Sequence, residues 1–242
     1  MLILRSLAFN IAFYANLIVW LIAALPTLVL PRRAIMAVVR GWAKTNQLLL
    51  RAIAGIKVEM RGLEKIPSGG CLVAAKHQSF WETFALFPLF ADPSFIMKRE
   101  LGFIPLFGWF ALKAQMITVD RGARSAALRS MAEQARQQTA AGRQILIFPE
   151  GTRRAPGEPP AYKYGVVHLY SELKVPCLPI ALNSGVFWPR RRFLRQPGTI
   201  VVEVLEPIAP GLDKGDFLER LVREIEGASN RLLEETRQAS AR

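Results

Sequence analysis

At 242 residues the chain has room for one αβ domain with a modest appendage, and it can bury a sizeable core. Hydrophobic residues make up 51% of it and the mean hydropathy is positive, which sets it apart from a freely soluble protein. The net charge of +13 calls for an anionic partner, and two histidines and two cysteines without metal-ligand or CxxC spacing argue against a zinc site.

In chain order, the first segment narrows the choice of partner. Ser6 to Pro31, SLAFNIAFYANLIVWLIAALPTLVLP, carries no charge in 26 residues. As a helix it would measure roughly 39 Å, enough to cross a hydrocarbon core of ~30 Å. Arg5 precedes it and Arg32, Arg33 and Arg40 follow, an asymmetry that places the rest of the chain in the cytoplasm. The length of the run and the lack of a small-x-small cleavage site disfavour a removed signal peptide. Asn10, Asn16 and Pro26 interrupt the run, and the amphipathic stretch Ala34–Ile56 follows it. A spanning helix and a two-helix hairpin immersed in one leaflet therefore both remain open. Nucleic acid is a poor partner for a chain anchored in this way, and the aromatic interleaving that single strands prefer is missing.

Beyond residue 56 the pattern changes to short apolar runs alternating with helical ones. Strands are expected at Lys57–Arg61, Cys71–Ala75, Ser94–Met97, Gln115–Val119, Gln144–Phe148, Cys177–Leu182 and Thr199–Leu205. Helices are expected at Ser79–Phe90, Ser125–Ala141, Tyr164–Leu173 and Lys214–Gln238. The chain thus divides into residues 1–56, a membrane helix or hairpin, and residues 57–242, an α/β domain with a mixed, largely parallel sheet flanked by helices. Cys71 and Cys177 fall in apolar strands and read as buried small hydrophobes in a reducing compartment. The helix from Ser125 carries Arg124, Arg129 and Arg136, with Arg143 just beyond; this is either a solvated basic face or a surface for lipid or an acidic carrier protein.

Four strand ends carry polar residues. After the second strand comes KHQSFWET, with His77 five positions before Glu82. Residues five apart on one helix lie about 140° apart, so the pair can meet only if His77 sits in a turn and Glu82 in the helix that follows. Ser79-x-x-Glu82 is a capping box that would start that helix. A plainer reading keeps Glu82 as a cap and His77 as a packed side chain. After Ile145–Phe148 come Pro149 and then Glu150, Gly151, Thr152 and Arg153, a turn whose donors suit a phosphate. ITVDRG supplies Asp120 and Arg121, and FIMKRE supplies Lys98. The segment Leu101–Trp109 is too apolar for an exposed loop and reads as core, membrane-dipping or the wall of an acyl-chain pocket. If the strands are parallel, these ends share one edge of the sheet, where αβ proteins place their ligands.

These residues resemble the glycerolipid acyltransferase family, and within it the bacterial branch that acylates 1-acylglycerol 3-phosphate. The resemblance runs over roughly Lys57–Pro207 in four ordered blocks: His77–Glu82, Ile117–Arg121, Phe148–Arg153 and Val175–Leu182. It implies a membrane-bound enzyme of phospholipid synthesis at the bacterial inner membrane. That enzyme would move a fatty acyl group from acyl-CoA or acyl carrier protein to the sn-2 hydroxyl of lysophosphatidic acid. His77 would be the general base and Glu82 its orienting acid. Arg121, Glu150, Gly151, Thr152 and Arg153 would bind the acceptor phosphate, with Lys98 as a further contact. No metal or redox cofactor is implied. One departure stands out: the family has Asp where this chain has Glu82, one methylene or about 1.5 Å longer. It bears on which acceptor is used, and an acyltransferase for another lysophospholipid or lyso-aminolipid is the neighbouring reading. A catalytically silent lipid-binding protein is the reading from another class; the absence of a G-x-S-x-G elbow disfavours a serine hydrolase.

Overall fold

The computed structural model describes residues 1–120 and 124–240. Among them, seven strands form one sheet: β1 (Ile56–Arg61), β2 (Cys71–Ala75), β3 (Pro93–Lys98), β4 (Ile117–Val119), β5 (Gln144–Ile147), β6 (Cys177–Leu182) and β7 (Gly198–Val204). Their order is β1-β7-β6-β2-β5-β3-β4. Strands β6, β2, β5, β3 and β4 run parallel, while β7 is antiparallel to β6 and carries β1 parallel to itself. The C-terminal ends of the five parallel strands therefore share one edge, as the alternation of runs predicted.

Strand β2 is buried throughout, as a central parallel strand must be. Its side chains alternate between two cores. Cys71, Val73 and Ala75 face α1 (Leu2–Ala24) and α2 (Arg32–Leu49), while Leu72 and Ala74 face α5 (Arg124–Ala140), α6 (Tyr164–Leu173) and α8 (Lys214–Ser240). Three short helices complete the chain: α3 (Glu82–Ala85), α4 (Phe107–Lys113) and α7 (Ser184–Phe187).

The N-terminal helices belong to this body. Phe9 and Phe13 of α1 are buried in the same cluster as Val73, Ile180 and Trp188. The polar residues that interrupted the apolar run are those that face inward. Asn10 meets the Phe193 carbonyl and Arg195, and the Asn16 amide donates to Thr45 Oγ1 at 3.0 Å on α2. Gly41 lets the two helices close up, since a Cβ there would meet the Trp20 ring at 2.2 Å. Pro26 lies in the 3₁₀ turn Leu25–Leu28 that ends α1. Both ends of α1 are tied down: Arg5 Nε donates to the Ile53 carbonyl at 2.9 Å, and Lys113 donates to the Leu28 carbonyl at 3.1 Å. The N-terminal segment is thus tied to the rest of the chain at its start and just beyond its end. Arg32 pairs with Asp92, and Arg40 with the carbonyls of Phe90 and Ala91, so two of the flanking charges also fasten α2 to the α/β domain.

Three expectations are corrected in detail. The helix expected over Ser79–Phe90 is one α-turn, Glu82–Ala85, and then a 3₁₀ turn, Phe87–Leu89. Pro88 lacks an N–H and disfavours α-conformation at Phe87. Gln115 adopts φ +58°, a left-handed turn that delays β4 to Ile117. Arg143 is not part of a basic face: it is buried and bonds the carbonyls of Pro93, Ala114 and Gln115.

Candidate active site

Lys76 and His77 leave the C-terminal end of β2. The Lys76 N–H continues the ladder by donating to the Ile180 carbonyl at 2.9 Å, and the chain then turns into α3. Glu82 at the start of that helix points back under the turn, and its Oε1 lies 3.3 Å from His77 Nδ1. The Glu82 carboxylate is fully buried. It accepts the N–H groups of Gln78 and of Ser79 (2.7 Å) on Oε1, and the hydroxyls of Ser79 (2.8 Å) and Ser184 (3.0 Å) on Oε2. Burial pushes its pKa up. The His77 contact and the backbone donors of Ser79 and Gln78 outweigh burial and hold it below the usual carboxylate range. An ionised carboxylate only accepts, so the proton of this contact sits on His77 Nδ1 and Nε2 is left as the basic nitrogen. Phe148, the residue after β5, stacks on the imidazole with ring centroids 4.0 Å apart.

The expected capping box is half present. The Glu82 carboxylate does reach the Ser79 N–H, but Ser79 Oγ accepts the Trp81 N–H at 2.8 Å, and α3 begins three residues after Ser79. The Glu82 side chain thus knits the turn and orients the imidazole at once.

Gly151 closes the turn after β5 in the left-handed region, φ +64°, and its N–H returns to the Phe148 carbonyl at 2.9 Å. The Arg154 N–H donates to the His77 carbonyl at 2.9 Å, which fastens this turn to the histidine turn. Thr152 is exposed and Arg153 half-buried beside the pair. Burial pushes the Arg153 pKa down. The charges of Arg190 and Arg191 act in the same direction, while that of Glu82 opposes them. Arg190 Nη1 donates to the Arg153 carbonyl at 2.9 Å. Among the described residues, none of Arg153, Arg190 and Arg191 is in an ion pair with an acid.

Of the residues singled out in the sequence, His77, Glu82, Gly151, Thr152 and Arg153 come together here. Glu150 is next to them, but its carboxylate turns inward to Lys76. Lys98 is exposed at the end of β3, two strands from β2, and Arg121 lies outside the described residues. Ser184, Arg190 and Arg191 went unnoticed in the sequence, and Phe148 was named there only as a strand end and the start of a motif block. Phe148 was visible as the last apolar residue of its run; the other three follow β6 in a segment with no periodic signal.

Parallel strand ends that present a buried acid, an imidazole and an arginine turn define a class, and the comparisons agree with it. The Acyltransferase family model matches residues 57–183, and the chain belongs to that family. It is 38% identical over 203 residues to the 1-acyl-sn-glycerol-3-phosphate acyltransferase of Pseudomonas aeruginosa, covering 83% of this chain and 79% of that one. It is 31% identical to the mouse 1-acyl-sn-glycerol-3-phosphate acyltransferase alpha, with coverage of 83% and 72%. The crystal structure of the 1-acyl-sn-glycerophosphate (LPA) acyltransferase PlsC from Thermotoga maritima matches with a TM-score of 0.79 at 25% identity, over 98% of each chain.

Proposed function

We propose that this protein is a membrane-bound 1-acylglycerol-3-phosphate O-acyltransferase, which acylates the sn-2 hydroxyl of lysophosphatidic acid to give phosphatidic acid. The observation that carries the reading is the His77–Glu82 pair, with Nδ1 held at 3.3 Å by a buried acid and the turn that carries Arg153 fastened to the His77 carbonyl by the next residue's N–H. His77 Nε2 takes the acceptor's hydroxyl proton as that oxygen attacks the thioester carbonyl. The carbon–sulfur bond then breaks and the thiolate of coenzyme A or acyl carrier protein leaves, recovering the proton from the imidazolium. General-base help of this kind contributes ~10²–10⁴-fold, and the Glu82 charge stabilises the imidazolium. Every proton moves between groups of the protein and its substrates, so the scheme calls for no metal or redox cofactor.

Arg153, Thr152 and the neighbouring Arg190 bind the acceptor phosphate, with Lys98 at the end of β3 as a further cation and Arg121 as a further contact implied by the family's motif. Among the described residues Arg153, Arg190 and Arg191 form no ion pair with an acid, which suits a phosphate monoester better than a zwitterionic head group and supports lysophosphatidic acid despite Glu82 in place of Asp. The hairpin rests in one leaflet with the exposed apolar face of α1 in the lipid, and the positive charge favours the anionic cytoplasmic face of the bacterial inner membrane. The test is a panel of lysolipid acceptors offered with acyl-CoA and with acyl carrier protein to membranes carrying the protein, with His77→Ala as the blank. Acylation of lysophosphatidic acid that His77→Ala abolishes is expected; undiminished turnover in that variant would overturn the assignment.

A further inference from the structure

The polar network behind the site joins three distant parts of the chain. Lys76, which precedes His77, is 2% exposed. Its Nζ lies 3.0 Å from Glu150 Oε1 and 2.7 and 2.9 Å from the two carboxylate oxygens of Glu226 on α8. An ammonium has three protons, and these three contacts use them all. The Tyr162 hydroxyl donates to Glu226 Oε1 at 2.9 Å. Glu150 is buried, and burial raises its pKa, while Lys76 and the His77 backbone N–H favour its charged form. Arg154, four residues after Glu150, donates its N–H to the His77 carbonyl. The His77 backbone is thus gripped on both sides by the turn Glu150–Arg154, and the turn is held through Lys76 by the C-terminal helix.

We propose that Lys76, Glu150 and Glu226, with Tyr162 behind them, form a clamp that positions the His77 backbone, and that α8 is thereby part of the catalytic apparatus. These are positioning residues: none touches the reacting atoms. Two features separate the clamp from ordinary core stabilisation. Its ion pairs close across 74 and 150 residues onto the residue that precedes the base. Glu226 also lies beyond residues 57–183, the part matched by the family model, so a cut at the end of that match would remove an arm of the clamp. A buried ammonium deprived of one acid must move toward the remaining one or toward water, and either movement drags the adjoining His77.

The inference rests on His77 as the base, and the test separates the two. In the full chain in membranes, kcat and the KM for lysophosphatidic acid and for the acyl donor are measured for wild type, Glu226→Gln, Glu226→Asp and Tyr162→Phe, alongside thermal midpoints. Displacement of a base by a fraction of an ångström to an ångström lowers turnover by about 10- to 100-fold. Glu226→Gln should therefore lose kcat on that scale well below its melting temperature, with both KM values within about twofold. Glu226→Asp, which keeps the charge, should recover much of the loss. Tyr162→Phe leaves all charges in place and should lower kcat about two- to fivefold, so it serves as the probe if Glu226→Gln fails to fold. A lower midpoint with unchanged kcat would mean that the network is structural only and would overturn the clamp. A wild type that is inactive with every acceptor would overturn the acyl-transfer reading and the clamp together.

Discussion

His77 Nδ1 and Glu82 Oε1 stand 3.3 Å apart because a turn, and not a helix face, joins them across five positions. Among the described residues the Oε2 side of that carboxylate accepts from two hydroxyls, those of Ser79 and Ser184, and a hydroxyl can turn to accept as well as donate. Glu82→Gln can therefore fit with its amide nitrogen at the Oε2 position and lose only the charge. Its kcat should fall on the order of 10²–10⁴-fold with the KM values little changed. Near-normal turnover would reduce Glu82 to a structural brace.

The same acid sets a pH dependence of stability. Its folded-state pKa lies below the unfolded one. The stability it contributes is thus present above the unfolded carboxylate value, about 4.3, and lost as pH falls through the folded value. Thermal midpoints of wild type and Glu82→Gln should differ most near neutral pH and converge below about pH 4. A gap that is constant over that range would show that the carboxylate is not the ionised acceptor described.

The cationic wall separates acceptor from donor. Arg153→Ala should raise the KM for lysophosphatidic acid about 10- to 100-fold, the scale of a charge-assisted hydrogen bond, and leave the donor's KM nearly unchanged. Arg190→Ala, at a more exposed position, should give a smaller rise of about three- to tenfold, weaker still at high salt. An effect confined to the donor would reassign both arginines.

Sequence patterns made the scaffold legible wherever the signal was local. All seven strands were visible as apolar runs, most plainly β2, β5 and β6, which bury both faces, and the His77–Glu82 contact was visible because it closes within one turn. Contacts between distant parts were not. The partner of Glu150 is Lys76, and that of Arg143 is a set of carbonyls on neighbouring segments; a motif read along the chain assigns both residues to the surface. Helix α3 was overestimated because its apolar periodicity continues through Pro88, where the backbone cannot follow.

Cys71 and Cys177 are free thiols on adjacent buried strands. Burial pushes the Cys71 thiol up to about 11 and that of Cys177 higher still. At pH 7 roughly one Cys71 in 10⁴ would be a thiolate, the form that reacts. Alkylation of the native protein should be negligible over the time in which the denatured chain is fully labelled. Rapid native labelling would contradict the buried placement of β2 and β6.

The apolar segment after β3 leaves large side chains exposed, and its membrane-dipping reading can be tested. Phe103 is 71% exposed, Trp109 54% and Leu112 66%, while Phe110 and Ala114 of the same stretch pack on Ala24 and Ile35 of the hairpin. The exposed side chains therefore continue the outer face of α1, where Ile11, Ile18 and Ile22 are bare. Full burial of a large apolar side chain contributes about 1.5–3 kcal/mol, and insertion into a head-group layer recovers part of that. Replacing Phe103, Phe107 and Trp109 together by Ser should weaken sedimentation with anionic vesicles by roughly 10²-fold. The fold is preserved because none of the three is buried. With a short-chain acceptor in solution, the triple variant should turn over at close to the wild-type rate. Unaltered vesicle binding would leave α1 as the sole anchor, and a loss of turnover on the soluble acceptor would make this segment part of the acyl-chain site instead.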